Sequence, residues 1–120
     1  MQYALLIYQG TTPLPTDPDA WATLPADEQQ AIYADYGRIN STPGVTPGLP
    51  LGRAEQAVTV RVQDGTTTTS EGPVNGPLGA IGGYLVFEAE DLADAIALAG
   101  QIPAARHGGA IEIRPVETYW

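Results

Sequence analysis

The sequence predicts an α+β sandwich: a sheet with helices on one face, in the order strand, helix, hairpin, strand, helix, strand. Three observations carry this. Ile32, Tyr36 and Ile39, and again Leu92, Ala95, Ile96 and Ala99, fall at helical spacing. Residues 3–8, 84–88 and 110–116 are short runs rich in aliphatic and aromatic side chains, as strands require. Between the two helical stretches, residues 57–62 alternate valine with polar residues ahead of Asp64-Gly65, a strong hairpin signal because both positions tolerate positive φ. Strands mixed with one-sided helices pack as two layers.

Each element has a local reason. Residues 3–8 form a buried strand bounded by Gly10. Residues 11–22 contain Pro13, Pro15 and Pro18 and are expected to be mostly irregular. Pro25 suits the first turn of a helix, with Asp27 and Glu28 near the positive end of its dipole. That helix runs to about Arg38 or Asn40, ahead of Pro43-Gly44. Residues 43–52 read as a loop with at most one short extended piece, residues 49–51. In the hairpin, Val58, Val60 and Val62 face one way and Thr59, Arg61 and Gln63 the other. Residues 66–70, Thr-Thr-Thr-Thr-Ser, return as an exposed strand.

Residues 71–79 are rich in glycine and proline and form a loop. Gly82-Gly83 stands before the next strand, where a bulge or a close backbone approach explains it. Asp91 begins the second helix, Leu92, Ala95, Ile96 and Ala99 form its stripe, and Pro103 limits it. The last strand turns Ile111 and Ile113 inward and Glu112 and Arg114 to the opposite face. Two helices cover one sheet face. The other carries apolar and charged side chains, and a homodimer pressing its sheets together is the economical way to cover it.

Size and composition bound the rest. One hundred and twenty residues make a single domain, 1–120, that buries about two-thirds of its unfolded surface. There is no cysteine, so disulfides and thiolate metal sites are excluded. The N-terminal apolar run is too short for a signal peptide or a membrane span, so a cytoplasmic protein is expected. The net charge is −9, and the positive charge is five arginines with no lysine. Such a field repels phosphate backbones and anionic lipid, so neither nucleic acid nor membrane is an expected partner. Lysine avoidance with abundant alanine, glycine and proline fits a GC-rich genome. No phosphate-binding loop or nucleophile elbow occurs, and no cofactor is expected.

The residues in order carry a resemblance. Tyr3 to Tyr8, Leu24-Pro25-Ala26-Asp27-Glu28, Val60-Arg61-Val62 with Asp64-Gly65, Glu71-Gly72-Pro73, Gly82-Gly83-Tyr84, Asp91-Leu92, Ala95, Pro103 and Glu112-Ile113-Arg114-Pro115 resemble the YCII-related, or DGPF-domain, family of small bacterial proteins. The resemblance covers nearly the whole chain. It implies a ferredoxin-like βαββαβ-type sandwich with an extra hairpin, pairing into a dimeric α+β barrel. The family's Asp-Gly-Pro-Phe stands here as Glu71-Gly72-Pro73-Val74. The carboxylate sits one methylene further out and the aromatic ring is gone. The family is mostly uncharacterised, and relatives in the wider superfamily include lyases, oxygenases and dehalogenase-like enzymes, so the fold gives only a weak guide to function.

Five residues are candidates for chemistry. His107, the single histidine, suits a general acid or base, or else a solvated position near a helix C-terminus. A metal site needs further His, Cys or carboxylate ligands, and none is expected. Glu71 sits on a Gly-Pro loop after a strand, either as a binding or catalytic carboxylate or as a solvated turn residue. Arg61 and Arg114 suit bidentate capture of a carboxylate or phosphate, or more simply cross-strand or interface ion pairs. Tyr84 lines the uncovered face or packs in the core with its hydroxyl at the rim. Two functions follow: a small molecule bound or transformed between sheet and dimer partner, with Glu71 and His107 as acid and base, or a non-catalytic dimeric module.

Overall fold

The computed structural model describes residues 1–119. In chain order it contains β1 (Gln2–Tyr8), α1 (Pro18–Trp21), α2 (Ala26–Asn40), β2 (Val45–Pro47), β3 (Val58–Gln63), β4 (Thr66–Glu71), β5 (Ile81–Glu88), α3 (Leu92–Ala99) and β6 (Ala110–Pro115). Four strands make one antiparallel sheet in the order β2-β5-β1-β6, while β3 and β4 form a separate hairpin. With the hairpin set aside, this α+β arrangement is compatible with a ferredoxin-like sandwich.

Strand register creates the layers. Leu5 lies opposite Leu85 on one side and Ile113 on the other, and Ile7 lies opposite Gly83 and Ile111. Directly opposed residues share a face. This face packs under α2 and α3 against Ile39, Ala95, Leu98, Ala99 and Ile102, and Leu5, Ile39 and Ile102 are completely buried. The pairing of β1 with β5 slips between Ile7 and Tyr8, leaving Gly82 as a bulge.

Local chemistry fixes the ends of the elements. α2 follows Pro25 and carries Asp27 and Glu28 in its first turn. Asp91 caps α3, accepting from the Asp94 amide at 3.0 Å. Asp64 (φ 49°) and Gly65 (φ 76°) make the hairpin turn. Asp35 on α2 holds Arg106 at 2.5 Å and Arg38 at 3.0 Å, tying the helix to the short helical turn Pro103–Ala105 that leads into β6. Hydrogen bonds from Arg106 and then Arg38 hold the Asp35 carboxyl below its usual pKa.

Three sequence expectations need correction. The extended piece after α2 is Val45–Pro47, not residues 49–51. Val45 sits opposite Phe87 on the core side, and Pro47 is tolerated because β2 is an edge strand. Residues 11–22 are mostly irregular, as expected, apart from a four-residue helix with Pro18 at its start and Asp17 as its cap. β5 begins at Ile81, so Gly82 and Gly83 lie inside the strand. In α3, Leu92 and Ile96 stay exposed, and the inward residues are Ala95, Leu98 and Ala99. The stripe is rotated because Ile102 and Ala104, beyond the helix, continue the buried row.

Truncating Ile39 to alanine should lower the free energy of unfolding by about 3 kcal/mol in urea denaturation, since it removes a fully buried side chain. Asp35 predicts a pH dependence. Its folded-state pKa is lowered, so the stability its ion pairs contribute is complete above the ordinary value of 3.8 and is lost as pH falls through the lower folded value. Asp35→Asn should therefore be less stable than the parent at neutral pH. The gap should close in thermal unfolding scans as pH falls below about 4.

Candidate functional site

The same register that builds the core leaves a second face open. It carries Ala4, Leu6 and Tyr8 of β1, with Leu6 between Tyr84 and Glu112 and Ala4 between Val86 and Arg114. Tyr84 belongs to this face and is 44% exposed, so it lines the open side rather than the core. Gly48 sets the ring's position. Its amide donates to the Tyr84 carbonyl at 3.0 Å, and a Cβ there would collide with that oxygen and come within 2.6 Å of the ring.

The hairpin is equally uncovered. Val58, Val60 and Val62 form one apolar row, each at least 60% exposed. The chain's radius of gyration is 16.0 Å, where a compact domain of this length has about 13.6 Å. Its accessible surface is 7747 Å², against about 6,200 Å² for a compact 12.6 kDa monomer. The excess is roughly 1,500 Å².

Two clefts open beside the sheet. The first, about 330 Å³, is lined by Tyr8, Ile81, Arg53, Gln56, Val74 and Asn75 among others. The second, about 260 Å³, lies between the loop after β1 and the segments around Arg53 and Leu78. Arg53 stands at both and is held by Glu55 at 3.1 Å and Asp17 at 4.0 Å.

Of the five sequence-derived candidates, Tyr84 and Arg114 share the open sheet face, and the other three stand on separate elements. Glu71 ends β4 opposite Val58. Gly72 then turns the chain with φ 93°, its amide donating to the Ala57 carbonyl at 2.7 Å and its carbonyl accepting from the Thr59 hydroxyl at 2.8 Å. This turn brings Pro73, Val74 and Asn75 to the first cleft, while Glu71 itself stays outside the lining. His107 is half-buried between the Pro103–Ala105 turn and β6. Arg61 lies in mid-hairpin opposite Thr68, and Arg114 lies on the open sheet face. Neither cleft is lined by any of the five. Arg61 and Arg114 make no ion pair among the described residues, so the in-chain pairing read as their simpler role is not formed. No group of three metal-ligating side chains occurs among the described residues.

Sequence reasoning missed Tyr8, Arg53, Gln56 and Asn75 as cleft residues. Asn75 had a signal, lying just past the Glu71-Gly72-Pro73 turn. Arg53 caps, and Gln56 ends, a short helical turn without periodicity. A family model for the YCII-related domain matches residues 1–119. The chain belongs to the YCII-related family. No curated protein matches it. In this YCII-related chain Pro73 and Val74, just after Glu71-Gly72, line the first cleft, and Val74 is 63% exposed.

Gly48→Ala should destabilise the YCII-related chain by about 1–3 kcal/mol, because the added methyl displaces Tyr84 or breaks the β2-side hydrogen bond. Thermal unfolding, with tyrosine near-UV dichroism to follow the ring, checks both effects.

Proposed function

We propose that this YCII-related chain works as a homodimer that binds a small carboxylate or phosphate between the open face of its sheet and the partner copy. One observation carries the reading: the chain exposes an apolar sheet face and an apolar hairpin row, with surface in excess by roughly 1,500 Å². A standard interface buries about 800 Å² per partner, so this excess is enough for one. Two copies meeting through these surfaces make the dimeric α+β barrel. Arg61 and Arg114, without an ion pair among the described residues, are the anion anchors, and a guanidinium fork suits a bidentate carboxylate. Tyr84 supplies a flat wall beside Leu6.

Glu71 and His107 are the acid and base candidates of a catalytic version. They stand on separate elements and line neither cleft of one chain. That separation, together with the altered Glu71-Gly72-Pro73-Val74 signature, favours binding over catalysis. It also supports the second reading, a non-catalytic dimeric module.

Titration with malonate, followed by calorimetry, tests the binding. The parent chain should bind saturably, Arg114→Ala should weaken binding about tenfold or more, and Val60→Asp should abolish it by separating the copies. A dimer that gives no heat with malonate, or binds it equally well as Arg114→Ala, would remove the anion site and leave the module.

A further inference from the structure

The four-stranded sheet ends on a free edge at β6, with no strand beyond it among the described residues. The register shows which of its backbone groups are free. The Val116 amide donates to the Gln2 carbonyl at 2.9 Å, two residues on from the pair of Ala4 and Arg114. Antiparallel neighbours exchange hydrogen bonds at every second pair, so Arg114, Glu112 and Ala110 turn their amides and carbonyls towards β1. Ile111 and Ile113 turn theirs outward, together with the Pro115 carbonyl, and no other backbone group takes them among the described residues. An edge of this kind is a template for another strand.

The side chains select that strand. Glu112 and Arg114 are exposed and stand two residues apart on the open face. Ile111 and Ile113 belong to the helix face, where they pack on the core yet stay only half-buried. Among the edge strands β2, β3, β4 and β6, only β6 carries charges of both signs.

We propose that β6 pairs antiparallel with β6 of a second copy, centred on Ile113. In that register Glu112 lies opposite the partner's Arg114 and Arg114 opposite the partner's Glu112, as a two-fold interface requires. These pairs fall at the positions without hydrogen bonds, where facing side chains are closest. The two Ile113 residues exchange both backbone hydrogen bonds, and each Ile111 amide donates to the partner's Pro115 carbonyl. Pro115 has no N–H, which removes only the bond at each end of the seam. Moving the centre one residue either way, to Glu112 or to Arg114, sets like charges face to face across the axis. Charge therefore selects one register.

This proposal rests on the homodimer reading and names its seam. A two-fold axis perpendicular to the joined strands keeps both helix layers on one face and both open faces on the other. Twist and curling of the joined sheet then turn the open faces towards each other, as a barrel requires. The helix beside β6 is α3, with Leu92 and Ile96 exposed, so the α3 helices of both copies stand next to the seam. A guanidinium has five donors, so Arg114 can hold the partner's Glu112 and still meet an anion over the open face.

The chain has no cysteine, so a single introduced one reports its own neighbour. Facing residues of a hydrogen-bonded pair stand about 5.5 Å apart, within disulfide range. Mild oxidation of dilute Ile113→Cys should give a covalent dimer on non-reducing gels. Ile111→Cys should not, since its counterpart lies about 13 Å along the seam. A second set of variants changes exposed side chains and spares the core. Glu112→Arg should weaken the dimer about tenfold in sedimentation equilibrium, by facing like charges, and adding Arg114→Glu to it should restore the parent value. A dimeric parent overturns the seam and leaves the homodimer standing if folded Ile113→Cys gives no covalent dimer, if Ile111→Cys gives as much, or if Glu112→Arg associates like the parent. A parent that is monomeric at every concentration overturns both.

Discussion

The register of β1 between β5 and β6 is the constraint on which the rest depends. Side chains alternate across a strand, so setting Leu5 against Leu85 and Ile113 on the helix side also sets Leu6 between Tyr84 and Glu112 on the other. A slip of one residue would exchange the two faces and put Leu6 under the helices. The core and the open face are therefore one decision. The register ends at the Gly82 bulge, after which Tyr8 faces Ile81 at the mouth of the first cleft and Gln9 lies over Gly82. A sheet that packs well on one side thus delivers its other side, and the end of its central strand, to ligand or partner.

The molecule is energetically unfinished in a specific way. Helices α2 and α3 cover only one face, and the hairpin of β3 and β4 stands apart with three exposed valines in a row. Exposed apolar patches of this extent on small domains mark interaction surfaces. The proposed dimer answers both surfaces with one event. It also gives Arg61 and Arg114 a place to act, since each lies on an uncovered apolar element and neither is neutralised by a carboxylate among the described residues.

Much of the fold was legible because its signals are local. Ile32 and Ile39 mark α2, Asp64-Gly65 marks the hairpin, and Asp91 marks the start of α3, each through spacing or capping chemistry close by in sequence. β2 was not, because Val45–Pro47 becomes a strand only by pairing with the edge of β5, and its proline and neighbouring glycines read locally as loop. The inward stripe of α3 was misplaced because Ile102 and Ala104, outside the helix, decide which side is buried. The sites were least legible. The first cleft joins segments far apart in sequence around Tyr8, Arg53 and Val74, and the free edge of β6 exists only once the strand order is set.

Everything proposed for the open face rests on a second copy. Sedimentation equilibrium of the unmodified chain at micromolar concentration tests that most directly. The account predicts a single species of about 25 kDa, twice the 12.6 kDa chain, as expected for a two-fold pair. A mass of 12.6 kDa that does not rise with concentration would contradict it.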